Sequence, residues 1–332
     1  MNINTLKSLI HAFGPSSKED AVKKVIRREI KKVNNAEIFE DKYGNLVAHI
    51  KGNGPKLMIA AHTDQIGVMV TNIDKNGFIR MGEVGGLRKS FLVGQKLVFE
   101  KGIEGFVYYE DKESPWEFKD LKIEKLYVDV GAKNKKEAEK MLSIGTQGVY
   151  KPSFYTVNDR IIAPALDDRI GCFIGIEVLN SVNPKKLNYD LYIVFTVQEE
   201  IGVKGAKVSS YEITPDYGIA IDVTDSGDMP ETTPVALKLG AGAAIKVMDR
   251  GMIASKSVKE KLINTAEKNK IDYQLEVITA GTTDAYAIQI TKSGVETGAI
   301  SIPTRYIHTP GETIDINDVK SAIKLLKKFI EK

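Results

Sequence analysis

The chain has 332 residues, of which 42% are hydrophobic and 27% are charged, with a net charge of +3. This length is more than one typical hydrophobic core needs, so we expect two domains. The near balance of charge, without a basic stripe, is not typical of a nucleic-acid-binding protein. The single cysteine, Cys172, excludes an intrachain disulfide and lies in an apolar run, so we interpret it as a small core residue.

The sequence shows no pattern typical of a targeting signal or a membrane span. The first 18 residues lack the apolar segment and cleavage site of a secretory signal peptide. No stretch approaches the roughly 18 consecutive apolar residues of a transmembrane helix. We therefore expect a cytoplasmic protein with no membrane partner and no nucleic-acid partner.

The first part of the chain predicts a helix followed by strands. Residues 16–33 have an apolar stripe at helical spacing, with Ser16 or Ser17 available as the N-cap. Strands are predicted at 36–40, 46–51 and 56–61. The last of these is a continuous apolar run that ends at His62, which suits a strand buried on both faces.

The sequence pattern changes after about residue 65. Short β-like runs separated by turns continue to about residue 155, with one helical stretch at 134–142. This block predicts a small β-rich domain, in which we interpret Trp116 as a packing residue. From residue 161 onward, predicted strands alternate with helices, which indicates a helix-covered sheet.

The predicted fold is therefore α/β, with a mixed central sheet flanked by helices. Both ends of the chain contribute to it, so that residues 1–66 and 159–332 form one discontinuous domain. Residues 67–158 form the inserted β-rich domain.

Five apolar, strand-like runs in the α/β part each end in a histidine or an acidic residue. The residues that follow them are His62 with Asp64, Asp167 with Asp168, Glu199 with Glu200, Asp222, and His308. In open α/β sheets, ligands bind beyond the carboxyl ends of the strands, so these side chains are expected to meet at one sheet edge. Imidazole and carboxylate ligands together favour Zn, Co or Mn over Ca. Two histidines and three carboxylates fit a bridged pair of divalent metal ions better than two separate closed sites.

Four segments of the sequence resemble the tetrahedral, glutamyl and deblocking aminopeptidases, which are cocatalytic dinuclear metallopeptidases of clan MH. They are His62-Thr63-Asp64-Gln65-Ile66-Gly67, Ala165-Leu166-Asp167-Asp168-Arg169, Gln198-Glu199-Glu200-Ile201-Gly202 and His308-Thr309-Pro310-Gly311-Glu312. The resemblance covers nearly the whole chain. It implies two divalent metal ions, Zn or Co, and removal of N-terminal residues from peptides by a metal-bridging hydroxide.

The resemblance also implies a role for each residue of the site. Asp167 would bridge the two metals, with His62 and Asp222 completing one and Glu200 and His308 completing the other. Glu199 would act as the general base, and Asp64 would orient the imidazole of His62. Two roles for Asp168 and Arg169 remain open: a structural pair, or support of the bridging carboxylate. Residues 281–285 resemble a loop near the family's site but depart from it at Ala280, so no catalytic role is assigned to them.

The resemblance further implies that the inserted block is a lid or dimerisation domain. Family members commonly assemble into twelve-subunit tetrahedral particles, so a homo-oligomer is expected, either a dodecamer built from dimers or a dimer. Enclosed active sites imply peptides as substrates. The preferred N-terminal residue is left open, although an acidic preference would need a cation in the pocket, such as Lys246 or Arg250.

Three other functions compete with the aminopeptidase interpretation. The same site could remove the acyl group from an N-acyl amino acid. A glycoside hydrolase needs two carboxyl groups that face each other across a sugar, whereas the adjacent Glu199 and Glu200 on an extended segment point to opposite sides. A scaffold protein with a relic site is disfavoured because every expected ligand and the base are present.

Overall fold

The computed structural model describes residues 1–30, 33, 36–110, 121–231 and 235–331. Trp116 lies outside the described residues. The helices are α1 (Ile3–His11), α2 (Asp20–Ile30), α3 (Lys135–Met141), α4 (Leu166–Ser181), α5 (Lys204–Ile213), α6 (Lys256–Lys268), α7 (Asp284–Gln289) and α8 (Ile316–Ile330). The strands are β1 (Glu37–Glu40), β2 (Leu46–Ile50), β3 (Lys56–His62), β4 (Gly67–Ile73), β5 (Ile79–Val84), β6 (Lys96–Phe99), β7 (Glu104–Tyr109), β8 (Leu126–Asp129), β9 (Gln147–Tyr150), β10 (Tyr155–Val157), β11 (Arg160–Ala163), β12 (Asp190–Thr196), β13 (Tyr217–Asp225), β14 (Ala243–Met248), β15 (Tyr273–Val277), β16 (Glu296–Arg305) and β17 (Glu312–Asp315).

A mixed sheet of 11 strands organises the larger part of the molecule, in the order β1-β2-β12-β3-β13-β16-β17-β11-β10. Strand β14 also pairs with β16, and β15 pairs with β14. Strands β12 and β13 pair parallel to β3, and β16 pairs parallel to β13. Strand β17 is antiparallel to both β16 and β11, so β11 runs in the same direction as β16. Five strands therefore place their carboxyl ends at the same edge of the sheet.

The central strand β3 is buried on both faces, as its apolar run predicts. Leu57 and Ile59 point into the larger core on the side of α4, while Met58 and Ala60 point into a second core beneath α5 and α7. Helix α4 packs against α1, α2, α8, β3 and β13, which explains why it is apolar on almost every side. Cys172 lies in this helix with no exposed surface, so its interpretation as a core residue is confirmed.

The strands β4, β5, β8, β7, β6 and β9 close into a barrel with an apolar core of its own. Because the barrel is closed, both edges of every strand are hydrogen-bonded, and this small sheet leaves no unpaired edge beside the larger one. The predicted fold class, a mixed sheet flanked by helices with a small β-rich domain, is confirmed. The domain limits at 67 and 158 remain a prediction; the barrel strands lie inside them, whereas β10 pairs with β11 in the large sheet.

Helices α2 and α5 show how the structure departs from the predicted elements. Within the described part of the chain, the helix expected at 16–33 spans Asp20–Ile30. It begins later than predicted because Ser17 has a left-handed backbone (φ 73°) and the Ser16 hydroxyl donates to Asp64 instead of capping the helix. Helix α5 was not predicted, since its buried positions are glycine, alanine and serine and its apolar stripe is weak. Among the described residues, no helix combines the length and apolar character needed to cross a bilayer.

Candidate active site

The strand ends deliver the predicted site residues to one cavity of about 600 Å³. His62 is the last residue of β3, and Asp222 lies near the end of β13. Glu199 and Glu200 follow β12, and Asp167 lies in the first turn of α4, four residues after the end of β11. His308 lies beyond the end of β16. The structure thus brings together at one sheet edge all of the residues predicted to hold metal, as open α/β sheets favour.

Asp167 occupies the centre of this group. Its Oδ1 lies 3.0 Å from His62 Nε2, and its Oδ2 lies 3.2 Å from His308 Nε2. On the outer sides, His62 Nε2 is 3.8 Å from Asp222 Oδ1, and His308 Nε2 is 3.5 Å from Glu200 Oε2. A single carboxylate therefore faces both imidazoles, each of which has a further carboxylate beside it.

Two groups of side chains have the spacing of metal ligands. One consists of His62, Asp167 and Asp222, and the other of Asp167, Glu200 and His308, with the ligand atoms of each group within 4.8 Å of one another. The mixture of imidazole and carboxylate suits zinc-like divalent ions. Oε1 of Glu200 is buried without a hydrogen-bond partner among the described residues, which a bound cation would remedy. The residues present therefore fit two cations that share Asp167.

The buried charges of the site alter one another's pKa values. Burial, reinforced by repulsion from neighbouring carboxylates, raises the pKa of Glu199 and Asp222 well above the usual range. Burial also opposes ionisation of Asp167, but hydrogen bonds from His308 and His62 outweigh it and lower its pKa. The same contacts overcome burial of the imidazoles, raising the pKa of His62 well above its ordinary value and that of His308 to about 12. Positive charge is thus favoured between these carboxylates.

Backbone carbonyls fix the orientation of both imidazoles. Nδ1 of His62 lies 3.1 Å from the carbonyl oxygen of Asp64, and Nδ1 of His308 lies 2.8 Å from that of Gly86. Donation from Nδ1 would leave Nε2, the atom nearest the shared carboxylate, available to a cation, as in proteins whose histidines bind metals. Gly86 belongs to the segment after β5, so the β-rich domain contacts the site directly. A Cβ at this position would lie 3.0 Å from the His308 ring.

Comparison with known proteins identifies the family. The profile of the family described as M42 glutamyl aminopeptidase matches residues 44–325. The chain belongs to the M42 family. Over 98% of the M42 chain, it is 38% identical to the lysyl aminopeptidase of Pyrococcus furiosus, 96% of which is covered. It is therefore an enzyme of the aminopeptidase class, a hydrolase of peptide bonds.

Two solved structures resemble the M42 chain along nearly its full length. The aminopeptidase APDkam598 from the archaeon Desulfurococcus kamchatkensis is 39% identical with a TM-score of 0.93, covering 99% of this chain and 94% of its own. The Pyrococcus horikoshii TET1 peptidase, described as assembling into a tetrahedron or a large octahedral shell, is 32% identical with a TM-score of 0.89 and 99% coverage of both chains. The family description names a glutamyl preference and the Pyrococcus furiosus relative a lysyl one, so the two names give no preference for this chain.

Asp64 of the M42 chain has more contacts than the sequence predicts. Besides its backbone contact with His62, its carboxylate lies 3.5 Å from Nδ1 of that imidazole. The same carboxylate accepts hydrogen bonds from the backbone N–H of Glu199 (2.9 Å) and Glu200 (3.2 Å) and from the Ser16 hydroxyl (2.6 Å). Asp64 thereby holds the turn that carries both glutamates. No local sequence pattern predicts these contacts.

Asp168 and Arg169 do not form a pair with each other. The Asp168 carboxylate accepts from the backbone N–H of His62 at 3.1 Å and of Gly171 at 2.9 Å. The Arg169 guanidinium instead donates to the Gln65 side chain at 2.9 Å. It also donates to backbone carbonyls in the last turn of α1 and in the segment that follows α1. Asp168 therefore supports the strand end that presents His62, whereas Arg169 fastens the N-terminal segment to the core.

Glu312 is a supporting residue to which sequence reasoning gave no role. Its Oε1 accepts from the backbone N–H of His308 at 2.8 Å, and its Oε2 accepts from that of Asp167 at 3.0 Å. The side chain is buried, and burial together with the charge of Asp167 raises the pKa of Glu312 to about 8. One carboxylate thus fixes the backbone of two residues from the metal-ligand groups. Its place in the segment that begins at His308 was the only available signal.

We expect Glu312→Gln to weaken metal binding about 10- to 100-fold, because an amide nitrogen would replace one of the two accepting oxygens. Competition with a chromophoric chelator measures this affinity. Asp318→Asn is the matched control, since Asp318 is also buried and accepts from two backbone N–H groups, those of Gly240 and Gly242. If both substitutions weaken metal binding equally, or if neither weakens it, a specific role for Glu312 is contradicted.

The segment 281–285 lies close enough to Glu199 for its charge to act on that carboxylate. Asp284 is buried, its Oδ2 accepts from the Thr196 hydroxyl at 2.5 Å, and burial raises its pKa to about 6. Its charge contributes to the raised pKa of Glu199. Gly281 and Thr282 line the cavity directly. The segment therefore acts on the site through charge and shape, and its buried carboxylate does not reach the metal-ligand groups.

Proposed function

We propose that the chain is a dinuclear, metal-dependent aminopeptidase that removes N-terminal residues from peptides. The observation that carries the proposal is the sharing of Asp167 by two groups of metal-ligand spacing, beside Glu199, in one cavity. His62 and Asp222 would complete one cation site, and Glu200 and His308 the other. When bound, two zinc or cobalt ions would supply Lewis acidity for the scissile carbonyl and positive charge at the reacting centre.

Glu199 is proposed as the general base. Its side chain lines the cavity, and among the described residues none forms a hydrogen bond or ion pair with its carboxylate. Burial, followed by repulsion from Asp222, Asp284 and Glu200, raises its pKa well above the usual range. Such a carboxylate can take a proton from the attacking water and return it to the leaving amine. Asp64 keeps Glu199 in place through its backbone N–H.

The proposed substrates are short peptides with a free N-terminus, because the cavity of about 600 Å³ admits only a few residues. We also propose a homo-oligomer, a dodecamer built from dimers or a dimer, in which residues 67–158 form the lid or dimerisation domain. The assemblies described for the Pyrococcus horikoshii relative support this arrangement. The solution mass, in multiples of the 36.6 kDa protomer, tests it.

The decisive experiment compares matched peptides with free and N-acetylated termini, using the full chain loaded with Zn or Co. The proposal expects stepwise release of N-terminal residues from the free peptides only. Release of the acyl group would instead identify a deacylase, and metal-independent release of sugar from β-glucan would identify a glycoside hydrolase. Inactivity across a broad peptide panel would refute the proposal.

Removal of metal is expected to make the chain less stable as the pH rises. The pKa of Glu312 is raised to about 8 and that of Asp284 to about 6, both chiefly by burial, whereas hydrogen bonds to carboxylates overcome burial in raising that of His308 to about 12. The folded chain thus keeps protons that the unfolded chain releases, so a rising pH favours unfolding. For Glu312 this loss extends from pH 4.5 to about 8. The lowered pKa values of Asp64 and Asp167 act below this window.

Bound cations replace these protons, so the stabilisation of the fold by metal should increase as the pH rises through the same window. Differential scanning calorimetry of chelator-treated and Zn-loaded protein at about pH 5.5 and pH 8.5 measures this effect. We expect the difference in Tm between the two forms to widen by roughly 5 °C or more, since each kcal/mol corresponds to a few degrees. A difference in Tm that is constant or shrinks with pH would contradict the proposed site.

A further inference from the structure

One wall of the cavity lies beside Asp222 and is formed by β13, β14, the residue after β15 and α7. Val223, Ile278 and Tyr286 give it an apolar surface able to hold the hydrocarbon part of a side chain. Lys246 lines the same wall and is 1% exposed. Arg250, the other cation considered from the sequence, is not among the residues that line this cavity. The charge of the wall therefore depends on the partners of Lys246.

The ammonium group of Lys246 is held between two buried carboxylates. Its Nζ lies 2.6 Å from Glu276 Oε1 and 3.4 Å from Asp249 Oδ2. The Thr224 hydroxyl donates to the same oxygen of Glu276 at 2.8 Å. The side chains of Glu276 and Asp249 have no exposed surface. One cation and two carboxylates leave this cluster with one excess negative charge.

The excess charge is not fully compensated by neighbouring donors. Oε2 of Glu276 is buried without a hydrogen-bond partner among the described residues, and Oδ2 of Asp249 accepts no hydrogen bond beyond its 3.4 Å ion pair with Lys246. Because charges in a poorly hydrated interior act over longer distances than they do in water, the cavity experiences this excess. A substrate carboxylate placed against the wall would lose its hydration, meet a cation that is already neutralised, and be repelled by the surplus negative charge.

We propose that the cluster of Lys246, Glu276 and Asp249 makes the site select against acidic N-terminal residues, so that its substrates are peptides with a neutral or basic N-terminal side chain. This inference rests on the proposed aminopeptidase function. It reverses the expectation that Lys246 could favour substrates with an acidic N-terminal residue, because the ammonium group is already paired with Glu276 and Asp249. The apolar surface of Val223 and Ile278 suits the alkyl part of the preferred side chains.

Arg88 is the rival determinant, since it also lines the cavity and is exposed. An exposed guanidinium interacts weakly with a substrate charge because water and salt screen it. Asp225, which is likewise exposed and lines the cavity, offsets it with the opposite charge. The buried cluster should therefore dominate the discrimination, and the two determinants can be separated by substitution.

The test compares kcat/KM of the metal-loaded full chain for dipeptides that begin with glutamine, glutamate or lysine. Glutamine and glutamate have nearly the same shape, so their ratio isolates the effect of charge. We expect glutamine to be favoured over glutamate about 10- to 100-fold, and lysine to be cleaved at least as well as glutamine. Equal or faster cleavage of the glutamate substrate would overturn the inference and leave the aminopeptidase function intact.

Three variants assign the effect to its source. Glu276→Gln removes the excess charge and should lower the glutamine-to-glutamate ratio about tenfold. Asp249→Asn provides the same test should the first variant not fold, and Arg88→Gln should leave the ratio unchanged. An unchanged ratio in a folded cluster variant, or a change only in Arg88→Gln, would refute the assignment. Loss of all turnover in the wild-type chain would instead refute the proposed function, and this inference with it.

Discussion

Glu199→Gln is expected to lower kcat by about 10²–10⁴-fold while both cations stay bound, because an amide cannot take or return the proton that the reaction moves. Glu199 lies outside both groups of metal-ligand spacing, and its carboxylate faces the cavity without a partner among the described residues. The amide has nearly the same volume. Its backbone N–H would still donate to Asp64.

Turnover of a neutral aminoacyl substrate and metal content measured by mass spectrometry together test this prediction. Glu200→Gln is the matched comparison, since it changes the adjacent residue in the same turn but removes a proposed metal ligand. It should lose metal as well as activity, whereas Glu199→Gln should lose activity alone. A Glu199→Gln enzyme with the wild-type rate would require another base. Parallel loss of metal would make Glu199 a ligand instead.

Asp167→Asn is expected to reduce the binding of both cations and to lower activity more than about 10³-fold. The carboxylate of Asp167 approaches His62 at 3.0 Å and His308 at 3.2 Å, so it belongs to both metal-ligand groups. An amide keeps one acceptor oxygen but cannot share two equivalent oxygens between two cations. Removal of a central buried charge from a site that acts as a unit has large and non-additive effects.

Asp222→Asn is the control for this prediction because Asp222 belongs to only one of the two groups. Calorimetric titration with Zn should detect a single weakened site in Asp222→Asn and two weakened sites in Asp167→Asn. The backbone contact of Asp167 with Glu312 is kept in either variant, so the fold should survive. If Asp167→Asn loses only one cation, the shared position of this carboxylate is wrong.

The sequence predicts where the site lies because its apolar strands are followed directly by histidine or acidic residues. If the run that ends at His62 and the run before Glu199 are parallel neighbours in the sheet, those residues meet at its edge. In the structure these runs are the adjacent parallel strands β3 and β12. The burial of β3 on both faces follows from the same pattern. The identity of the fold class could therefore be predicted from periodicity and order alone.

The supporting contacts could not be predicted, because they join side chains to backbone N–H groups that are distant in sequence. Glu312 contacts Asp167 across 145 positions, and Asp64 contacts Glu199 across 135. Nothing in residue type or spacing distinguishes such an acceptor from a solvated carboxylate. Helix α5 was missed for a different reason: its buried side is made of small residues, whose hydrophobic signal is too weak.

The two histidines of the site differ in what holds them. The side chain of His62 is 2% exposed and is anchored within the central sheet, whereas that of His308 is 24% exposed and rests on a carbonyl of the barrel. Displacing the barrel would therefore disturb His308 and leave His62 in place. Assembly partners that immobilise the barrel would strengthen the binding of only the ion proposed at His308, so the two proposed ions should dissociate from the protein at unequal rates.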